Sequence, residues 1–342
     1  MTENFLIGTY TLRTSKGLYA VTLDTDQEKL TNVRLIAHQE KPAYLALGPD
    51  HLLFVLKQDG KDGGVSSYQL DGEHAKELDE DLSAGAPPAH VSWDGSRHMI
   101  YTANYHKGEI RAYKFTSNGK LQLTDWVVHQ GQCGPKPEQD APHAHYAQIT
   151  PDGRLAVCDL GMDLLVTYDV SEDGKLTMAS RLQCESGFGT RHLTFHPNGQ
   201  YAYLLGELSS KLTVLKYNSS DGSFKHLQTI KTIPEDWQAH NGAAAIHLSQ
   251  DGKYIYTSNR GQNTIAVFGI QPDFTVKHIQ SISTAGDFPR DFELSHDDRY
   301  LVASNQQSDN LTLYRRDAET GLLTAIQSGV SCPEPVCVKK WY

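Results

Sequence analysis

TRHLTFHPNGQYAYLLGEL, residues 190–208, sets two runs of β-type residues around an Asn-Gly dipeptide at Asn198. Asn-Gly favours a tight hairpin turn, and the flanking Thr, Leu, Phe and Tyr favour strands. The segment reads as strand, Asx turn, strand. KLTVLKY (211–217) follows as a third strand, and a turn at Asp221 leads to FKHLQTI (224–230) as a fourth. The same hairpin pattern recurs around Asp50, Asp94, Asp152, Asp251 and Asp297. The turn residues stand roughly 44 to 58 residues apart, which suits a repeat of four strands per propeller blade.

Six units leave both chain ends unassigned. NFLIGTY, GLYAVTL and KLTNVRLI near the start supply second, third and fourth strands without a first. EPVCVKKWY at the end supplies a first strand without the rest. Joining them completes a seventh blade and removes the sheet edges that would otherwise be open to pairing with other chains. The expectation is an all-β chain, a seven-bladed β-propeller forming one domain over residues 1–342. Its last blade is closed by the N- and C-terminal strands. Glu73 to Asp81 is ambiguous: a short helix, or the fourth strand due at that place.

Composition narrows the function. The chain has a formal net charge of −10, which opposes binding to a phosphate backbone. No apolar run approaches the roughly 20 residues that cross a bilayer. The start, MTENFLIGTY, has neither a basic nor an apolar signal region, so a cytoplasmic location is expected. The five cysteines are an odd number and scattered, which suits reduced thiols. Cys332 and Cys337 are the one pair near enough in sequence to approach each other. The expected partner is a small anionic molecule, not nucleic acid or membrane. No cofactor is expected, because Walker, dinucleotide-binding, nucleophile-elbow and haem signatures are all missing. A Trp-Asp pair occurs at Trp93-Asp94, but in the first turn of its blade, which disfavours a WD40 propeller.

In a repeat, the informative residues are those the repeat does not need. Seven positions before the turn, where each innermost strand begins, stand Ala43, Pro87, His145, Arg191, Ala244 and Arg290. Nine positions after it, where the second strand ends, stand Glu207, Arg260 and Gln306, with Tyr105 and Leu160 in equivalent slots. The two strands are antiparallel, so both sets share one rim beside the central channel. Alanine at two offsets shows that folding requires no charge there. A histidine, three arginines and a glutamate from consecutive blades therefore point to a pocket. Guanidiniums suit carboxylate or phosphate, and His145 suits proton transfer near neutral pH. Glu207 beside Arg260 also reads as a plain salt bridge. His143, two residues before His145, is expected on the same strand face. A His-x-His pair can ligate a metal, but nothing completes the ligand set, so no metal is expected. His192, His196, His240 and His247 read as packing or hydrogen-bonding residues.

These segments resemble the bacterial propeller-type 6-phosphogluconolactonases, in the lactonase family that also includes carboxy-cis,cis-muconate cyclases. The resemblance rests on IGTYT (7–11) and on residues 142–161, 189–210, 243–261 and 288–314. It implies hydrolysis of 6-phospho-D-glucono-1,5-lactone, with His145, Arg191, Glu207 and Arg260 as active-site residues. His145 or Glu207 would activate water, Arg191 and Arg260 would stabilise the oxyanion, and Arg290 would hold phosphate. Gln306, Tyr105 and His143 complete the expected substrate contacts. Thr190 and Gly206 depart from the family pattern beside the site. Competing readings are a carboxymuconate-lactonising cycloisomerase, another sugar-lactone hydrolase, a protein-binding scaffold and a six-bladed metal-dependent lactonase.

Overall fold

The computed structural model describes residues 1–341 and shows seven sheets, each of four antiparallel strands, arranged as blades around an axial channel. Blade 1 is the closing blade: Pro335–Trp341 is its innermost strand and Thr2–Thr9 lies next to it. Pairing runs from Asn4 opposite Trp341 to Gly8 opposite Cys337. The innermost strands of blades 2 to 7 are Leu45–Leu47, His90–Asp94, Ala144–Ile149, Thr190–Phe195, Gly242–Leu248 and Pro289–Leu294. The ambiguous segment around Glu73 is strand: Ala75–Ala84 is the outer strand of blade 2. Among the described residues the only helical element is a 3-10 turn at Pro137–Gln139.

The turns form as their residue types dictate. Asp94 Oδ1 accepts the amides of Ser96 and Arg97, and Asp251 and Asp297 cap their own turns in the same way. These side chains replace backbone partners that the chain loses where it reverses.

Each blade buries both faces against its neighbours, so the core is divided among seven clusters, one at each blade interface. The cluster joining blade 7 to blade 1 sets Val302, Leu311 and Leu313 against Phe5, Ile7 and Val338. Fully buried anchors such as Phe5, Phe54 and Phe268 each contribute roughly 1.5–3 kcal/mol by leaving water. The ring is held by packing and not by cross-links: all five cysteines are free, and Cys332 and Cys337 lie in different clusters. No helix is long and apolar enough to cross a membrane.

Candidate active site

At the rim where the innermost strands begin, pairing with the second strand breaks. In blade 4, Ala144 pairs with Asp159 and Tyr146 with Cys158, which leaves His145 opposite nothing. The same one-residue bulge isolates Arg191 in blade 5, Arg290 in blade 7 and Val336 in blade 1. Blade 6 has its irregularity at Ala244 and Ala245. A bulge releases a residue from the alternation of strand faces and re-aims its side chain. Here it turns these residues toward the axis. A cavity of about 410 Å³ opens there, lined by Ala43, Pro87, Tyr105, His145, Arg191, Glu207 and Arg290 among others. Its size lies within the range of small-molecule sites, roughly 300–1,000 Å³.

Its charged wall is one ion-pair network. Glu207 Oε2 accepts from Arg191 Nε at 2.7 Å, and Glu207 Oε1 lies 2.7 Å from Arg260 Nη2. Arg191 Nη1 also donates to the Ala244 carbonyl and to His192 Nε2. Burial alone would raise the Glu207 carboxyl, but Arg260 and Arg191 override it and hold it well below the usual carboxylate range. Burial, with the neighbouring charges of Arg260 and Arg290, pulls the Arg191 guanidinium down to about 10 despite Glu207. Two cations therefore share one anion, and Arg191 remains charged at neutral pH.

His145 is buried, and its Nδ1 has no hydrogen-bond partner among the described residues. Burial, reinforced by Arg191, pushes its imidazole well below the ordinary histidine range. It is therefore neutral at pH 7 and able to accept a proton. Its ring meets His192 at 5.3 Å and Tyr105 at 6.0 Å, both edge-on. Below it, Tyr44, His90, Tyr146 and His192 fill the channel with ring contacts of 4.3–6.1 Å. His90 and His192 are also held well below the ordinary range, chiefly by burial.

The structure brings His145, Arg191, Glu207, Arg290 and Tyr105 to one cavity. Arg260 stands behind this group. It lines an adjoining cavity whose shared wall is Glu207, and its other donors go to the Gly242 and Ala243 carbonyls. His143 does not line the central cavity. It stacks on Tyr105 at 4.1 Å, and its two nitrogens bond the Tyr105 carbonyl and Asp140. It therefore supports Tyr105 instead of pairing with His145. Gln306 is likewise set back, with Oε1 3.4 Å from Arg290 Nη1. Burial and then Glu207 push the Tyr105 phenol up to about 12, so it keeps its proton. Gly206 has no room for a side chain, since a Cβ there would meet the Phe188 ring at 2.8 Å. No group of three His, Cys, Asp or Glu side chains among the described residues is placed to hold a metal.

Tyr10, Leu12, Lys41, His106, Asp291 and Val336 also line the cavity, and the repeat offsets did not single them out. Lys41 sits in a blade-to-blade connection, where the repeat has no fixed length, and Tyr10, Leu12 and His106 sit in loops between the second and third strands of their blades. Val336 was within reach, because it occupies the bulge position of the closing blade.

Known proteins carry the same architecture and much of the same sequence. The family described as "Lactonase, 7-bladed beta-propeller" matches residues 4–340. A 6-phosphogluconolactonase of Bacillus subtilis is 39% identical over 340 residues, covering 97% of each chain. A crystal structure of a Lactobacillus plantarum protein superposes with a TM-score of 0.99 at 49% identity, over 100% of both chains. The periplasmic gluconolactonase of Pseudomonas aeruginosa superposes with a TM-score of 0.93 at 28% identity, over 99% of both chains. With the family match spanning nearly every residue of the ring, this chain belongs to the lactonase family of seven-bladed β-propellers.

Proposed function

We propose that this chain hydrolyses 6-phospho-D-glucono-1,5-lactone to 6-phosphogluconate in the cytoplasm, as part of the oxidative pentose phosphate pathway. The observation that carries the reading is the neutral His145, unpartnered among the described residues, beside the cationic Arg191 in one cavity. The Bacillus subtilis relative supports the substrate, and five free cysteines suit a reducing compartment.

The residues divide the work. His145 takes a proton from water as the oxygen attacks the lactone carbonyl. Arg191 faces the oxyanion that forms, and its charge in a desolvated site favours that state over the neutral lactone. The carbonyl re-forms, the bond to the ring oxygen breaks, and the His145 proton passes to that oxygen. Water has then been split between the new carboxyl and the new hydroxyl. Glu207 is a weak base, because two guanidiniums stabilise its ionised form. Its task is to hold Arg191 in place, and Arg260 acts through it as a positioning residue.

A second reading, an unphosphorylated gluconolactone as substrate, is favoured by the Pseudomonas aeruginosa relative. The test is a coupled assay. Glucose-6-phosphate dehydrogenase makes the phosphorylated lactone, and 6-phosphogluconate dehydrogenase reports its opening, with and without EDTA. Opening faster than the spontaneous rate, and unchanged by EDTA, is expected. No acceleration would overturn the substrate assignment, and loss with EDTA would overturn the metal-free chemistry.

A further inference from the structure

The central cavity is lined by Lys41, Arg191 and Arg290 against the carboxylates of Glu207 and Asp291, of which Glu207 is engaged by Arg191 and Asp291 lies 3.2 Å from His247. Among the described residues Arg290 makes no ion pair. Its guanidinium lies 5.1 Å above the Tyr10 ring and reaches only the Gln306 amide at 3.4 Å. Lys41 also lines the cavity, and among the described residues its ammonium makes no ion pair or side-chain hydrogen bond.

The segments that carry these two cations meet at one turn. Tyr10, beneath Arg290, follows directly on Thr9, the last residue of Thr2–Thr9. Thr11 Oγ1 accepts the Lys41 amide at 3.1 Å, and the Thr9 amide donates to the Pro42 carbonyl at 3.1 Å. The backbone at Lys41 is left-handed, with φ 46°, so the connection is bent at the point where it enters the rim. His106, across the rim, is held below the ordinary imidazole range by desolvation and then by His143 and Lys41, so the Lys41 charge is felt there. An unpaired ammonium and an unpaired guanidinium thus face one cavity in a chain whose net charge is −10.

We infer that Lys41, with Arg290, forms a phosphate subsite that selects a sugar lactone carrying a terminal phosphate monoester over the same lactone without one. This inference rests on the lactonase reading above. Phosphate is held by charge-assisted hydrogen bonds, and an ammonium and a planar guanidinium lining one cavity supply their donors. Arg191 and His145 are left to the lactone carbonyl, and the sugar spans the space between.

The experiment compares kcat/KM for 6-phosphogluconolactone and glucono-1,5-lactone in wild type, Lys41→Gln and Lys41→Arg. Wild type favours the phosphorylated lactone. Lys41→Gln lowers the ratio of the two kcat/KM values roughly tenfold or more, as expected for one lost charge-assisted contact, and Lys41→Arg keeps most of it. A ratio unchanged by Lys41→Gln overturns the subsite. If wild type opens neither lactone, the lactonase reading fails instead. Calorimetric titration with 6-phosphogluconate then still tests the subsite. Equal affinity of wild type and Lys41→Gln overturns it, and a roughly tenfold weaker variant upholds it.

Discussion

The axial channel has two mouths, built from opposite ends of the same inner strands. The mouth away from the bulges is lined by Gln148, Thr150, Thr194, His247, Glu293 and Lys339 among others, around about 430 Å³. Its polar side chains find partners within the protein. His247 Nε2 lies 3.2 Å from Asp291, Glu293 is 3.9 Å from both His247 Nδ1 and Lys340, and Lys339 Nζ bonds the Tyr44 hydroxyl at 3.2 Å. The strands there keep their regular register. At the other mouth the register breaks in five blades and, among the described residues, Arg290 and Lys41 make no ion pair and His145 Nδ1 has no hydrogen-bond partner. The two cavities are of similar size. They differ in how completely the protein satisfies its own polar groups, and an unsatisfied buried group is costly unless a ligand completes it. The unfinished mouth is therefore the one we propose for a substrate.

Removing the shared anion tests this contrast most severely. Glu207→Ala leaves two buried guanidiniums without their carboxylate, a change that costs about 3–5 kcal/mol. Urea unfolding should show a loss of that size, with turnover falling together with stability. A variant as stable as wild type would mean that the network is not electrostatically linked.

Arg191→Lys keeps the charge but not the fork that reaches Glu207, Ala244 and His192 together. Turnover should fall about 10²-fold, the loss typical of one oxyanion donor, with KM little changed. An equal loss confined to KM would place Arg191 in ground-state binding instead.

The plug between the mouths makes a pH prediction. His90, His145 and His192 all have folded pKa values depressed below that of free imidazole. Below about pH 6.5 the unfolded chain therefore binds more protons than the folded one. Their contribution to stability is complete above that pH and falls as pH drops toward the folded values. The slope reaches about 1.4 kcal/mol per pH unit for each histidine. Urea midpoints should be flat from pH 7 to 8 and decline below 6.5. The acidic limb of kcat/KM should also lie below pH 6.5, and a limb near pH 7.5 would assign the base to another group.

Change at the satisfied mouth should matter least. Gln148 is exposed and accepts from the Tyr146 hydroxyl. Gln148→Ala should alter kcat/KM by less than about threefold, as surface substitutions usually do. A larger drop would mean that the two mouths are coupled through the ring stack.

Much of this contrast is written locally in the chain. The Asx turns at Asp94, Asn198 and Asp251 set the blade count, because their side chains cap the reversal themselves. The offsets that held His145, Arg191 and Arg290 are the bulged positions, so counting from a fixed turn found residues that a strand pattern alone would assign to either face. What counting missed depends on distance in space. Lys41 enters from a connection without fixed length. Arg260 lies one cavity away from where its offset suggested, because Glu207 intercepts it. His143 is spent on Tyr105 and Asp140, partners its spacing does not reveal. The depressed Glu207 carboxyl needs two arginines from different blades, and only the closed ring brings them together.

The central claim is that the bulge in blade 4 presents His145 as the base for lactone opening, and His145→Gln tests it most directly. Gln fills much of the same space but cannot act as a base. With saturating 6-phosphogluconolactone, turnover above the spontaneous rate should fall about 10²–10⁴-fold, with a urea midpoint close to wild type. Turnover within a few-fold of wild type in a folded variant would contradict the account and return the search for the base to the rest of the cavity.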